Sequence, residues 1–222
     1  MKFFLKWVKR IIIGFFVSSI IVVIVYKWIP VPFTELMIER YIFNASSIKK
    51  KWVPIEKISN TIQLAVVSSE DQNFIKHNGF DFEEIKKILE KEGEPKRGGS
   101  TISQQTAKNV FLWNGRNFIR KGLEAYFTCL IEFIWGKERI MEVYLNVAEF
   151  GEGVYGVEEA SQKYFHKSAK NLTKSEAATL AALLPNPRRY GKNINGNYIQ
   201  KRKKWILRQM ANLGGELKYT QN

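Results

Sequence analysis

At 222 residues the chain is long enough for one good-sized domain plus an appendage, and its ordinary apolar and charged fractions exclude a disordered polymer. Its single cysteine, Cys129, excludes an internal disulfide and a cysteine-rich metal site. The net charge of +14 points to anionic partners: nucleic acid, anionic lipid or a phosphorylated substrate.

Residues 11–29 form one apolar run, broken only by Gly14, two serines and Lys27. As a helix it would span about 28 Å, close to the hydrocarbon thickness of a bilayer. Lys6, Lys9 and Arg10 precede it, which predicts a cytoplasmic N-terminus over residues 1–10 and an exported bulk. Tyr26, Lys27 and Trp28 suit the membrane interface, and Pro30 and Pro32 stop the helix. A cleaved signal peptide is the alternative, but its apolar core would be shorter, and no small-x-small site follows the run. Residues 30–49 read as a juxtamembrane segment, 50–213 as one domain and 214–222 as a tail.

Within the domain, helical periodicity dominates and strand signals are scarce, so the fold class is mainly α. A helix is expected over 59–72. Asp81 with Glu84 opens another through Leu89, and Ser100 caps one running to about Val110. Amphipathic stretches cover Arg116–Trp135 and Lys137–Asn146. Thr173 with Glu176 caps a helix that Pro185 and Pro187 stop, and the last helix spans about Tyr198–Leu213. Cys129 lies in an apolar helical stretch and is expected to be buried. A glycine- and charge-rich loop covers 90–99.

Four polar constellations carry chemistry. In the first, Glu70 and Asp71 end an apolar helix, followed by Phe74, His77 and Gly79. A carboxylate facing the negative end of a helix dipole has a raised pKa, which suits a general base; a solvated helix end is the alternative. In the second, Ser100, Gln104 and Lys108 recur at i, i+4, i+8, beside a stripe of Thr101, Gln105 and Asn109. That wall could hold phosphate or sugar hydroxyls, or simply face solvent. In the third, Arg116, Arg120 and Glu124 share one face; they form either a diphosphate clamp or a plain intrahelical Arg120–Glu124 pair. The fourth runs from Lys137 and Arg139 through Glu142, Tyr144 and Asn146 to a glycine-rich turn at Gly151 and Gly153. His77 and His166 have no metal-ligand neighbours at a usual spacing.

The stretches EDQNFIKHNG, GGSTISQQTAKN, RKGLE, KERIMEVYLNVAEFGEGVYGV and EAATLAALLPNPRRY, in this order, closely resemble the peptidoglycan glycosyltransferases. That family includes the glycosyltransferase half of bifunctional penicillin-binding proteins and the monofunctional transglycosylases. The resemblance covers about residues 50–210, and the lack of a following transpeptidase region points to the monofunctional kind. It implies a lysozyme-like, two-lobed helical domain behind the transmembrane helix, with lipid II and the growing glycan strand as substrates. Glu70 then falls on the general base and Glu124 on a second catalytic glutamate in the donor site. Asp71, Phe74, His77, Ser100, Thr101, Gln104, Gln105, Lys108, Asn109, Arg116, Arg120 and Lys137 become the candidate substrate-binding residues. Some relatives carry a basic residue where this chain has Leu123. No cofactor is required on this reading; stimulation by a divalent cation (Mg or Mn) stays open. The membrane and other cell-wall synthesis or division proteins are the implied partners, and nucleic acid is not. The implied location is the bacterial inner membrane, with the catalytic domain outside the cytoplasm. The competing readings are a lysozyme-like muramidase, which has no use for a cationic diphosphate site, and a basic membrane-tethered binding module.

Overall fold

A computed structural model of the protein describes residues 2–44, 47–90, 99–115 and 117–219. The first helix, α1 (Lys2–Trp28), is long and apolar enough to cross a membrane. It begins well before the apolar run and ends ahead of Pro30, as the sequence predicts. The segment after it holds a helix that periodicity did not reveal, α2 (Glu35–Asn44). Its Met37 is fully buried, whereas Ile38, Tyr41, Ile42 and Phe43 are exposed, so apolar residues occur on more than one face and blur the pattern.

The remaining helices are α3 (Asn60–Glu70), α4 (Phe82–Glu90), α5 (Ile102–Phe111), α6 (Phe118–Ile134), α7 (Gly136–Val147), α8 (Val157–Phe165), α9 (Lys174–Leu183), α10 (Pro187–Tyr190) and α11 (Asn197–Asn212). Three short strands form one small sheet: β1 (Lys49–Lys50) runs parallel to β3 (Val154–Tyr155), which pairs antiparallel with β2 (Glu149–Gly151). The expected mainly α architecture is what the chain adopts.

Two helical groups carry the core. In one, α3, α9 and α11 pack on each other, and the buried alanines of α9 (Ala177, Ala178, Ala181, Ala182) let its neighbours approach closely. In the other, α5, α6 and α7 pack together, and α7 is buried from Ile140 to Val147. The capping box of Thr173 with Glu176 opens α9 as expected. One expectation fails. Cys129 is exposed, because its position on α6 faces away from α5 and α7, and the apolar character of the stretch does not report burial.

The anchor is docked rather than trailing. Helix α1 lies along α6, where Ser19 Oγ and Tyr126 OH share a 2.7 Å hydrogen bond. Carbonyls at the C-terminal end of a helix lack internal partners. Here Trp135 Nε1 donates to Val23 O at 2.7 Å, and Arg139 donates to Tyr26 O at 2.8 Å and Ile29 O at 2.9 Å. Lys50 donates to the Val31 and Pro32 carbonyls just beyond, and burial lowers its pKa to about 8. Trp52 lies beneath both cations, 5.5 Å from Lys50 and 5.3 Å from Arg139.

Candidate active site

A cleft of about 740 Å³ opens between the two helical groups. Its walls come from the end of α3, the start of α4, the first turns of α5, and Arg202 and Trp205 of α11. Glu70 stands in it, at the last position of α3. Ser59 caps the other end of that helix, and Asp71 leaves helical geometry, so the chain turns away just after Glu70.

Among the described residues, only neutral groups hydrogen-bond the Glu70 carboxylate. Ser69 Oγ donates to Oε1 at 3.1 Å, and Gln105 Nε2 donates to Oε2 at 3.3 Å. Burial raises its pKa above the usual carboxylate value. The bonds from Gln105 and Ser69 and the charge of Arg202 oppose that rise, and Asp71 adds to it. The sequence argument rested the shift on the helix dipole; desolvation is the larger cause.

The turn after Glu70 is a clamp. The buried Asp71 accepts from Ile102 N at 2.9 Å and from His77 Nε2 at 3.0 Å. His77 Nδ1 accepts from Gly79 N at 3.1 Å, which leaves Nε2 as the nitrogen that donates to Asp71. Gly79 has φ of +93°, and a Cβ there would come within 2.8 Å of Thr128 Cγ2, so only glycine fits the turn. Phe74 is wholly buried, with the Lys137 ammonium 4.6 Å from its ring centre. Asp71, Phe74 and His77, expected to bind substrate, also fix the turn that carries Glu70, and Asp71 lines the cleft.

The wall on α5 also narrows. The cap of α5 is Thr101, not Ser100: Thr101 Oγ1 accepts from Gln104 N, and Gln104 Oε1 accepts from Thr101 N. Thr101 Oγ1 also donates to Gly79 O at 2.7 Å. Thr101 and Gln104 are buried by these bonds, and Thr101 still borders the cleft. Ser100, Gln105 and Lys108 remain lining the cleft. Asn109 sits beyond Lys108, in a small hollow bordered by Glu35 and Trp113.

Glu124 is deeply buried on α6. Arg120 Nη1 donates to it at 2.7 Å and Lys121 Nζ bonds its other oxygen. The intrahelical Arg120–Glu124 pair therefore forms. Lys108 lies in the field of Glu124, Arg120 and Lys121, and links this cluster to the cleft. Crowding by protein lowers the Lys108 pKa, and Glu124 opposes that. Arg116 lies outside the described residues, as does most of the 90–99 loop. Lys137, expected at the substrate, bonds Glu132 at 2.6 Å, and Glu132 also accepts from Ser103. Lys137 belongs to the packing beneath the cleft. Arg139, Glu142 and Asn146 likewise serve the frame: Asn146 exchanges two hydrogen bonds with the backbone of Val53, and Glu142 accepts from Ile55 N.

Sequence reasoning missed Ser69, Asn73, Arg202 and Trp205 as cleft residues. Arg202 donates to Ser69 O at 3.1 Å and stacks over Trp205 at 4.3 Å. No local spacing in the sequence ties α11 to α3. Among the described residues no three His, Cys, Asp or Glu side chains converge to hold a metal ion.

Comparisons with known proteins agree with this geometry. A family model described as Transglycosylase matches residues 37–211. The chain is 53% identical over 213 residues to a biosynthetic peptidoglycan transglycosylase of Bdellovibrio bacteriovorus, covering 93% of this chain and 85% of that one. A protein of the same name from Haemophilus influenzae is 50% identical over 224 residues, covering 95% and 91%. Another from Escherichia coli is 53% identical over 199 residues, covering 84% and 81%.

Proposed function

The chain belongs to the transglycosylase family and is a peptidoglycan glycosyltransferase of cell-wall synthesis, and on that premise we propose that Glu70 is the general base of lipid II polymerisation. The observation that carries this reading is the carboxylate itself. It stands in the large cleft, holds only neutral hydrogen-bond donors among the described residues, and has a raised pKa. A base of this kind takes a proton without first breaking an ion pair.

The 4-hydroxyl of the acceptor sugar gives its proton to Glu70 as its oxygen attacks the anomeric carbon of the donor. The bond from that carbon to the lipid diphosphate breaks, and undecaprenyl diphosphate leaves with the electron pair. An α-linked donor and a β-1,4-linked product make this a single inverting displacement. The leaving diphosphate calls for cations. Lys108 lines the cleft, and its neighbours Arg120 and Lys121 are held by Glu124, so Glu124 orders the donor-side cations. Arg116 joins them on this reading. The reaction needs no resident cofactor; chelation with EDTA tests for stimulation by Mg or Mn.

The anchor supports a single-pass protein of the bacterial inner membrane. On this reading residues 1–10 are cytoplasmic, and the cleft opens on the outer side, where lipid II and the growing strand meet it. Other cell-wall synthesis or division proteins are the further partners it implies.

The test is turnover of lipid II by the full chain and by Glu70→Gln. Wild type is expected to form glycan polymer and to leave mature glycan intact, and the variant to lose nearly all polymerisation. Release of muropeptides without polymer, or full activity of Glu70→Gln, would overturn the proposal.

A further inference from the structure

Gln105 faces Glu70 with an amide that could turn either way. Its NH₂ end would donate to the carboxylate, and its oxygen end would repel it. Three contacts set the orientation. Nε2 lies 3.3 Å from Glu70 Oε2 and 3.3 Å from the Ser100 carbonyl, both acceptors. Oε1 lies 3.3 Å from the hydroxyl of Tyr144, which comes from a different helix, α7. An amide oxygen must accept, so Tyr144 must donate.

Tyr144 is suited to that task. Its ring is buried in the core and its backbone lies in the most buried helix of the second group, so the hydroxyl has a fixed origin. Burial, with Glu70 and Asp71 next in effect, raises its pKa well above the ordinary value, so it stays a donor across the working pH range. Resting on the reading of Glu70 as the base, we infer that Tyr144 is a positioning residue for the reaction: its hydroxyl locks the Gln105 amide so that the NH₂ end supports the Glu70 carboxylate.

Without the hydroxyl, Gln105 Oε1 would be left without its donor. The amide would then turn or withdraw, and Glu70 would lose a bond that favours its ionised form. Among the described residues, Arg202 and Tyr198 on α11, Asp71 beyond α3 and Tyr144 on α7 are titratable groups whose fields reach Glu70, and Lys108 on α5 lines the same cleft. Of these, only Tyr144 bonds to Gln105 among the described residues.

The experiment is the pH profile of lipid II polymerisation by the full chain in detergent, for wild type, Tyr144→Phe, Gln105→Leu and the double variant. A melting curve for each checks the fold. Tyr144→Phe keeps the ring that fills the core. It is expected to move the acid limb of kcat to higher pH and to lower kcat about tenfold with KM little changed. Gln105→Leu is expected to move the limb in the same direction, and adding Tyr144→Phe to it to move the limb no further. An unchanged limb in Tyr144→Phe, or an equal extra shift on the Gln105→Leu background, would overturn the inference. If Tyr144→Phe melts below the assay temperature, an unmoved limb in Gln105→Leu alone overturns it. Full turnover by Glu70→Gln would instead remove the base reading beneath it, so the two failures are distinguishable.

Discussion

The end of α3 and the middle of α6 each hold one desolvated carboxylate, and they meet the cost of desolvation differently. Glu124 is flanked by Arg120 and Lys121 and takes part in two ion pairs. Among the described residues Glu70 is bonded only by the Ser69 hydroxyl and the Gln105 amide, and Arg202 acts on it through its charge. A carboxylate matched by cations fixes the places of the charges around it. One supported by neutral donors is left free to take up a proton, which is what a base must do. The difference separates a group that arranges charge from a group that moves it.

That contrast can be broken in several ways. Glu70→Gln should cost the most in turnover, about 10²- to 10⁴-fold by the usual worth of a general base, measured as lipid II polymerised per minute. Glu124→Ala should cost the most in stability, about 3 kcal/mol, because it strands a buried guanidinium, and a denaturant melt reads it. Asp71→Ala should cost about 2 kcal/mol in the same melt, by freeing His77 and the Ile102 amide, and should lower kcat by letting the Glu70 turn drift.

A smaller effect has its sign fixed by the raised pKa of Glu70. When the folded pKa exceeds the unfolded one, stability is lost as pH rises through the folded value. Glu70→Gln should therefore melt at a higher temperature than wild type at neutral pH, with the gain fading as pH falls through the folded value and gone below the ordinary carboxyl value of 4.5. A melting gain that grows with acid would contradict the electrostatic picture. The smallest effect belongs to Cys129→Ser, within about 0.5 kcal/mol of wild type, as expected of an exposed side chain.

The helices were legible because their caps and apolar spacing are local. Thr173 with Glu176, and the helix ending at Glu70, appear where the sequence put them. The roles of polar residues near a helix start were not. Ser100, Thr101 and Gln104 look alike as wall residues, yet the Thr101-x-x-Gln104 spacing is itself a capping-box pattern and ties those two to the helix start. The burial of Phe74 and the His77–Asp71 bond were not legible, because spacing does not say which side of a turn faces the core. Arg202 and Trp205 could not be read at all, since they reach the cleft from a helix more than a hundred positions beyond Ser69.

The grip on α1 bears on where the enzyme works. Arg139, Trp135 and Lys50 hold the carbonyls at the end of the membrane helix, and Ser19 meets Tyr126 further down. A flexible leash would let the cleft sample many heights above the bilayer. With α1 in a bilayer, as proposed above, this mount acts as a fixed-length standoff that presents Glu70 at one altitude over the lipid surface. On that placement a polymer made there slides past a fixed station, while the enzyme moves only sideways in the plane of the membrane.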